Sequence, residues 1–243
     1  MAEAAVTPEL QARDLVKRLG GRMVVDGVSL AVRGGELVGL LGPNGAGKTT
    51  IFRMLMGLLG SDGGQVLLAG RDVTRLAPHS RARLGLGYLP QHPSVFQGLT
   101  VEQNLQVALE LCGSSQSCRP LLERFGLADA AKRRAAVLSG GERRRLELAR
   151  LVAADPAVAL LDEPLKGLDR SSVQEVGGLL RELCSRGRAI LITDHAAPHT
   201  RALCDRTYVL EDGRLVEQTA AAMFQQGRGQ PDPDGRMREW HSN

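Results

Sequence analysis

Residues Gly42-Pro43-Asn44-Gly45-Ala46-Gly47-Lys48-Thr49 follow the pattern G-x-x-x-x-G-K-[ST]. The run before it, Glu36-Leu37-Val38-Gly39-Leu40-Leu41, is short and apolar and reads as a buried strand. The run after it, Thr50-Ile51-Phe52-Arg53-Met54-Leu55-Met56, reads as a helix. A strand, a glycine-rich turn and a helix start, in that order, make an anion cradle. Glycine lets the backbone close around a phosphate with no Cβ in the way, and successive N–H groups point inward. The helix N-terminus adds partial positive charge. The stretch is therefore expected to hold nucleotide phosphates through Gly42 to Thr49 and the adjoining Thr50. Lys48 would reach the β- and γ-phosphates, and the Thr49 hydroxyl would ligate Mg²⁺.

Working outward, Val158-Ala159-Leu160-Leu161 is a second apolar run and ends in Asp162-Glu163. A carboxylate at a strand end beside a phosphate loop suits Mg²⁺, which makes Asp162 the metal-side acid. Glu163 would hold the attacking water as general base. A solvated strand end is the bland alternative for this pair. Ala189-Ile190-Leu191-Ile192-Thr193 reads as another core strand, and a helix over about 171–186 joins the two into a βαβ unit. Leu138-Ser139-Gly140-Gly141-Glu142 opens a further helix: Ser139 is a good N-cap, and the two glycines expose backbone N–H groups at a second helix start.

The rest of the pattern fits around this α/β core. Residues 11–33 suggest two antiparallel strands, 65–70 another, and 83–90 a short strand leading to Gln91. Residues 100–135 carry helical spacing, broken at Gly113-Ser114-Ser115-Gln116-Ser117. A hairpin around Asp212-Gly213 closes the fold. The expected organisation is one nucleotide-binding domain over 11–217, largely helical within it at about 92–150, and a flexible tail over 218–243. Residues 1–10 read as a loose tail.

Composition narrows the classes. Apolar residues make up 43% of the 243 residues, enough for a real core, but aromatics are only 3%, so Leu, Val, Ala and Ile must build it. A net charge of +4 with no long basic run and no interleaved aromatics gives no support for a nucleic-acid groove. Cys112, Cys118, Cys184 and Cys204 form no C-x-x-C pair and are expected as reduced thiols of a cytosolic protein. No run of 18 apolar residues exists, so any membrane spans belong to a partner.

The order of these motifs resembles the nucleotide-binding subunits of ABC transporters, whose L-S-G-G-E signature stands unaltered at 138–142. The resemblance covers roughly residues 11–217. It implies a P-loop NTPase (RecA-like) core with a small antiparallel β subdomain and an α-helical signature subdomain. It also implies ATP and Mg²⁺ as ligands, and integral membrane permease subunits as partners. Ser139, Gly140 and Gly141 would close on the γ-phosphate held by a second copy, so the expected assembly is a homodimer with composite ATP sites. Gln91 matches the family's switch glutamine and would touch Mg²⁺ or the water. His195, after Asp194, matches the switch histidine on the γ-phosphate. Asp169 matches the loop that crosses between subunits, and also reads as an N-cap for the helix that follows it.

Gly87 to Gln91, Ser94-Val95-Phe96, Leu99 to Leu105 and the Leu138 to Arg145 run are most similar to the ATPases of lipopolysaccharide export transporters. ATPases of branched-chain amino acid importers are close relatives, and an importer ATPase of that type is one alternative to export. In the export group a membrane-subunit helix sits near Gln91 to Phe96, which makes Phe96 a coupling contact or an ordinary core residue. The chain departs from the family at Leu19, where an aromatic usually stacks on adenine. It departs again at Lys166 and Arg170 in the crossing loop, which add positive charge near the expected interface. These departures suggest a low-turnover, nucleotide-gated binding module as the alternative. A DNA-maintenance ATPase would need a long coiled-coil insert between Thr49 and Leu138, and no sustained heptads occur there.

Overall fold

The computed structural model describes residues 9–195 and 198–219. In chain order it runs β1 (Glu9–Leu19), β2 (Arg22–Arg33), β3 (Leu37–Leu41), α1 (Lys48–Met56), β4 (Gly63–Leu68), β5 (Arg71–Asp72), α2 (Pro78–Arg83) and β6 (Leu86–Leu89). It continues with α3 (Val101–Leu111), α4 (Arg119–Arg124), α5 (Gly140–Ala154), β7 (Val158–Leu161), α6 (Arg170–Ser185), β8 (Ala189–Asp194), α7 (Pro198–Leu203), β9 (Arg206–Glu211) and β10 (Arg214–Thr219).

The strands form two sheets. The smaller is antiparallel in its described pairings, in the order β2-β1-β4-β5. The larger has the order β10-β9-β3-β8-β7-β6: β9, β3, β8, β7 and β6 are parallel, and β10 closes the edge as a hairpin.

Period-two alternation explains why the central strands are apolar throughout. Val38, Leu40, Val158, Leu160, Ala189 and Leu191 face α1 and the small sheet, where they pack with Ile51, Phe52 and Leu55. Their neighbours Leu37, Ala159, Leu161, Ile190 and Ile192 face the other side and pack with residues such as Leu105, Leu146 and Leu180 of α3, α5 and α6. Two cores thus share one sheet. Continuing the alternation from Val158 and Leu160 puts Asp162 on the α1 face, beside the phosphate loop.

Several boundaries differ from those the sequence suggests. β1 takes in Glu9 and Leu10, and β10 runs through Gln218 and Thr219, which pair with Thr207 and Arg206. The remainder of the two expected tails, residues 1–8 and 220–243, lies outside the described residues. The strand expected over 83–90 is confined to Leu86–Leu89. Pro78–Arg83 form α2 instead, and Gly85 turns at φ 93°. The buried Arg81 guanidinium ties α2 down: it donates to the carbonyls of Met54 (2.8 Å) and Leu55 (2.5 Å) at the end of α1. All four cysteines are free thiols, and Cys112 alone among them is exposed.

Candidate active site

The phosphate loop leaves β3 at Leu41 and enters α1 at Lys48. Gly42 has φ 154°, and a Cβ there would stand 2.7 Å from the Leu210 carbonyl oxygen. Gly47 has φ 102° and serves as the N-cap of α1 with no side chain to satisfy the first turn. The N–H groups at that helix start therefore have no side-chain cap competing with an incoming anion. Pro43, Asn44, Gly45 and Thr49 are exposed, while Ala46 and Thr50 are half-buried. Lys48 is buried, and its Nζ donates to the carbonyls of Gly42 (2.7 Å) and Pro43 (2.9 Å). Burial lowers its proton affinity, and the nearby charges of Glu163, Asp162 and Asp194 oppose that shift. The ammonium thus sits within the field of the carboxylates at the ends of β7 and β8.

Asp162 ends β7 at 1% exposure. Its Oδ1 accepts a hydrogen bond from the Thr193 hydroxyl at 2.6 Å. Its Oδ2 is buried with no hydrogen-bond partner. A buried carboxylate oxygen left without a donor is costly, and a divalent cation would satisfy it. Among the described residues, no group of three or more His, Cys, Asp or Glu is arranged to hold a metal ion. Thr49 and Asp162 supply only part of a shell, so a hard cation here must complete its coordination with phosphate oxygens and water.

Glu163 follows in the left-handed region at φ 50° and is 8% exposed. Its N–H donates to the Thr193 hydroxyl oxygen at 2.9 Å. Three side chains meet its carboxylate. Gln91 Nε2 donates to Oε2 at 2.6 Å, Lys166 Nζ donates to the same oxygen at 2.7 Å, and His195 Nε2 lies 2.9 Å from Oε1. Burial raises the proton affinity of this carboxyl, but the bonds from Lys166 and Gln91 and the charges of His195 and Lys166 outweigh it. The group is held below its ordinary value of 4.5. The backbone N–H of His195 donates to Asp194 Oδ1 at 2.6 Å, and the Thr200 hydroxyl donates to Asp194 Oδ2, which fixes the end of β8 from which the imidazole projects.

Ser139 caps α5 in a capping box with Glu142: the Glu142 N–H donates to Ser139 Oγ, and the Ser139 N–H donates to Glu142 Oε2 at 2.8 Å. A Cβ added at Gly140 would meet nothing within 4 Å, so the chain's own packing does not demand glycine there. Gly140 and Gly141 line a groove of about 440 Å³ with Gln91, Arg144, Glu163 and Lys166. Structure thus brings Gln91, Glu163 and His195 together, with Asp162 and Lys48 behind them. Of the signature residues Gly140 and Gly141 line the groove and Ser139 does not, and the residues of Gly42 to Thr49 do not line it either.

Asp169 caps α6, accepting from the Ser172 N–H at 2.8 Å. Phe96 is not a core residue: it is 44% exposed, and the Arg150 guanidinium lies over its ring at 4.7 Å. Leu19 is exposed at the end of β1, with exposed Met23 across the hairpin, so the position expected to stack on a base offers aliphatic surface.

Four contributors escape a reading of sequence. Thr193 bridges Asp162 and Glu163, and its one signal is being the polar residue that ends an apolar run. Arg144 donates to the Pro164 carbonyl (3.2 Å) and the Glu163 carbonyl (3.3 Å), joining α5 to the loop after β7. Buried Glu147 accepts from the Ser94 N–H at 2.6 Å. Buried Asn104 accepts from the Phe96 N–H at 2.8 Å and donates to the carbonyls of Phe96 and Thr100. The last two clamp the loop that carries Gln91, and both read in sequence as ordinary polar helix positions.

Comparison with known proteins is consistent with this geometry. A family model described as ABC transporter matches residues 25–166. An uncharacterized ABC transporter ATP-binding protein of Rhizobium meliloti (strain 1021) is 50% identical over 212 residues, covering 85% of this chain and 78% of the relative. The lipopolysaccharide export system ATP-binding protein LptB of Acidithiobacillus ferridurans is 47% identical over 212 residues, covering 85% and 88%. A solved structure of an ATP binding subunit of an ABC transporter superposes with a TM-score of 0.81 at 27% identity, covering 89% of this chain and 92% of that one.

Proposed function

This chain belongs to the ABC transporter ATP-binding family, and from that premise we propose that it drives lipopolysaccharide export as a homodimer closed around two ATP molecules. It is an ATPase coupled to transport, with an ATP site and membrane partner subunits, as family membership entails. The observation that carries the assignment of the site is the convergence of Gln91 and His195 on the carboxylate of Glu163, next to the unpartnered Oδ2 of Asp162.

In this reading Glu163 takes a proton from the attacking water as the water oxygen bonds to the γ-phosphorus. The bond from that phosphorus to the bridging oxygen breaks, and ADP departs with its electron pair. Lys48 exchanges its carbonyl partners for phosphate oxygens and offsets the charge that develops on them. Gln91 and His195 orient the base, and Thr193 fixes the spacing of Asp162 and Glu163. Mg²⁺ held by Thr49, Asp162 and Gln91 would neutralise β- and γ-phosphate oxygens. The loop Gly42 to Gly47 cradles the phosphates, Gly42, Asn44, Gly45, Ala46 and Gly47 through backbone N–H groups, Pro43 by shaping the turn without a donor of its own, with Thr50 beside them.

Ser139, Gly140 and Gly141 close on the nucleotide of the second copy. The open space above Gly140 supports this role, because a helix start with no Cβ at that position leaves room for a phosphate from outside the chain. The ATPase unit takes in residues 9–219, a little more than the 11–217 expected, with the helical part at about 92–150 and Phe96 facing the permease. No helix among the described residues is long and apolar enough to cross a membrane. We place the chain on the cytoplasmic face of the inner membrane, held there by integral subunits.

The export assignment follows from the 47% identity to the LptB of Acidithiobacillus ferridurans. Isolating the chain from native membranes and identifying its integral companions tests it. Export-type subunits would support it, and importer-type permeases would overturn it.

A further inference from the structure

We propose that Lys166 is a positioning residue that restrains the Glu163 carboxylate in the nucleotide-free chain and must release it before the composite site can close. It rests on the reading of Glu163 as the base.

The restraint is built locally. Lys166 stands three residues after Glu163 on a tight turn, in which its N–H donates to the Glu163 carbonyl at 3.3 Å and Gly167 follows at φ 72°. This turn brings the ammonium back over the carboxylate of its own segment, 2.7 Å from Oε2. Gln91 occupies the same oxygen at 2.6 Å, and His195 lies against the other. A carboxylate offers about four lone-pair directions. Oε2 therefore has both filled, and Oε1 keeps one. A general base needs an open lone pair facing the water it deprotonates. Of the three groups on this carboxylate, Gln91 and His195 stand at the expected switch positions, and Lys166 is the added charge.

Burial shows which donor can leave. The Glu163 side chain is 7% exposed and that of Lys166 is 58% exposed. An ammonium so open to water loses little by letting go, since water replaces its partner. A structural strut would be buried and expensive to break. Lys166 also lines the groove shared with Gly140 and Gly141, so a polyphosphate or carboxylate arriving there meets a half-exposed cation with one existing side-chain bond. Held on Glu163, Lys166 neutralises the base. Drawn away by incoming negative charge, it frees Oε2 and places its own charge on the ligand.

The test uses the full chain as wild type, Lys166→Ala, Lys166→Arg, Glu163→Gln and the Glu163→Gln/Lys166→Ala double variant, with melting curves as a check on folding. Lys166→Met, which keeps the aliphatic stem, replaces the alanine variant if that one melts early. Steady-state hydrolysis is measured across ATP concentrations. Dimerisation is followed by light scattering as ATP is added in EDTA, where hydrolysis is stopped.

Lys166→Ala is expected to raise kcat about two- to fivefold, the upper part of the range one half-exposed charged contact spans, with KM moving less than about twofold. Lys166→Arg, which keeps a cation in reach, returns kcat toward wild type. The ATP concentration for half-dimerisation falls by a similar factor when position 163 is Glu, and by less than about twofold when it is Gln, because the carboxamide has already lost the ion pair. An equal shift in both backgrounds overturns the proposal, since Lys166 would then act directly on phosphate. An unchanged or lowered kcat in Lys166→Ala also overturns it. Wild-type turnover in Glu163→Gln would instead remove the base assignment on which it stands.

Discussion

Replacing Thr193 with Val removes one oxygen from the centre of the site and changes almost nothing in shape. The Thr193 hydroxyl is fully buried, donates to Asp162 Oδ1 at 2.6 Å and accepts from the Glu163 N–H at 2.9 Å. Valine therefore strands a buried backbone donor and leaves the Asp162 carboxylate without its one described partner. Each unsatisfied buried group costs about 1–3 kcal/mol. Some water entry from the adjacent groove softens this, so the expected loss is about 2–4 kcal/mol. For a chain of this size that lowers the melting temperature by about 6–12 °C. Thr193→Ser keeps the oxygen, loses one methyl and is expected to cost about 1 kcal/mol or less. Calorimetry of the nucleotide-free proteins measures both. Because the hydroxyl also sets the spacing of the two acids, kcat of the valine variant should fall about 10- to 100-fold, as for other groups that orient a metal-side carboxylate. A valine variant that melts within about 2 °C of wild type and turns over normally would refute the bridging role.

Asn104→Ala strands the Phe96 N–H, while the Phe96 carbonyl keeps its bond from the Leu99 N–H, and should cost about 1–3 kcal/mol; hydrogen exchange should rise first in the loop 91–99 that Asn104 clamps. At Glu36, burial raises the proton affinity, but bonds from the Arg206 guanidinium and the Arg33 N–H outweigh it and hold the carboxyl below 4.5. Its stabilising contribution is then fully present above that value and lost as pH falls through the lower folded-state one. Urea midpoints measured downward from about pH 6 should fall less steeply in acid for Glu36→Gln than for wild type. Arg144→Met cuts the tie from α5 to the carbonyls of Glu163 and Pro164 and should lower kcat more than ATP affinity, which nucleotide titration and steady-state rates together resolve.

The phosphate loop and the three central strands were legible because each is decided locally. A strand buried on both faces must be apolar at every position, and a turn as tight as Gly42 and Gly47 excludes a Cβ. What the sequence did not disclose depends on which strands lie side by side. Thr193 acquires its role only because β8 pairs with β7, setting Leu161 against Ile192 and bringing the two strand ends together. Arg81 looks like a surface charge on a polar segment, yet it is buried and satisfies carbonyls at the end of α1, and for that reason α2 carries no apolar stripe. Lys166 stood out as added charge near an expected interface. Its partner, the carboxylate three residues earlier, becomes visible only once the left-handed turn at Glu163 is known.

The most direct test concerns the Glu163→Gln variant in Mg²⁺ and ATP, followed by light scattering with bound nucleotide counted. Composite sites predict no hydrolysis, a mass that doubles from 26.0 kDa and one ATP retained per chain, with reversion to the single mass in ADP. A variant that binds ATP but keeps the single mass, or that pairs equally well without nucleotide, would contradict sites completed by a second copy.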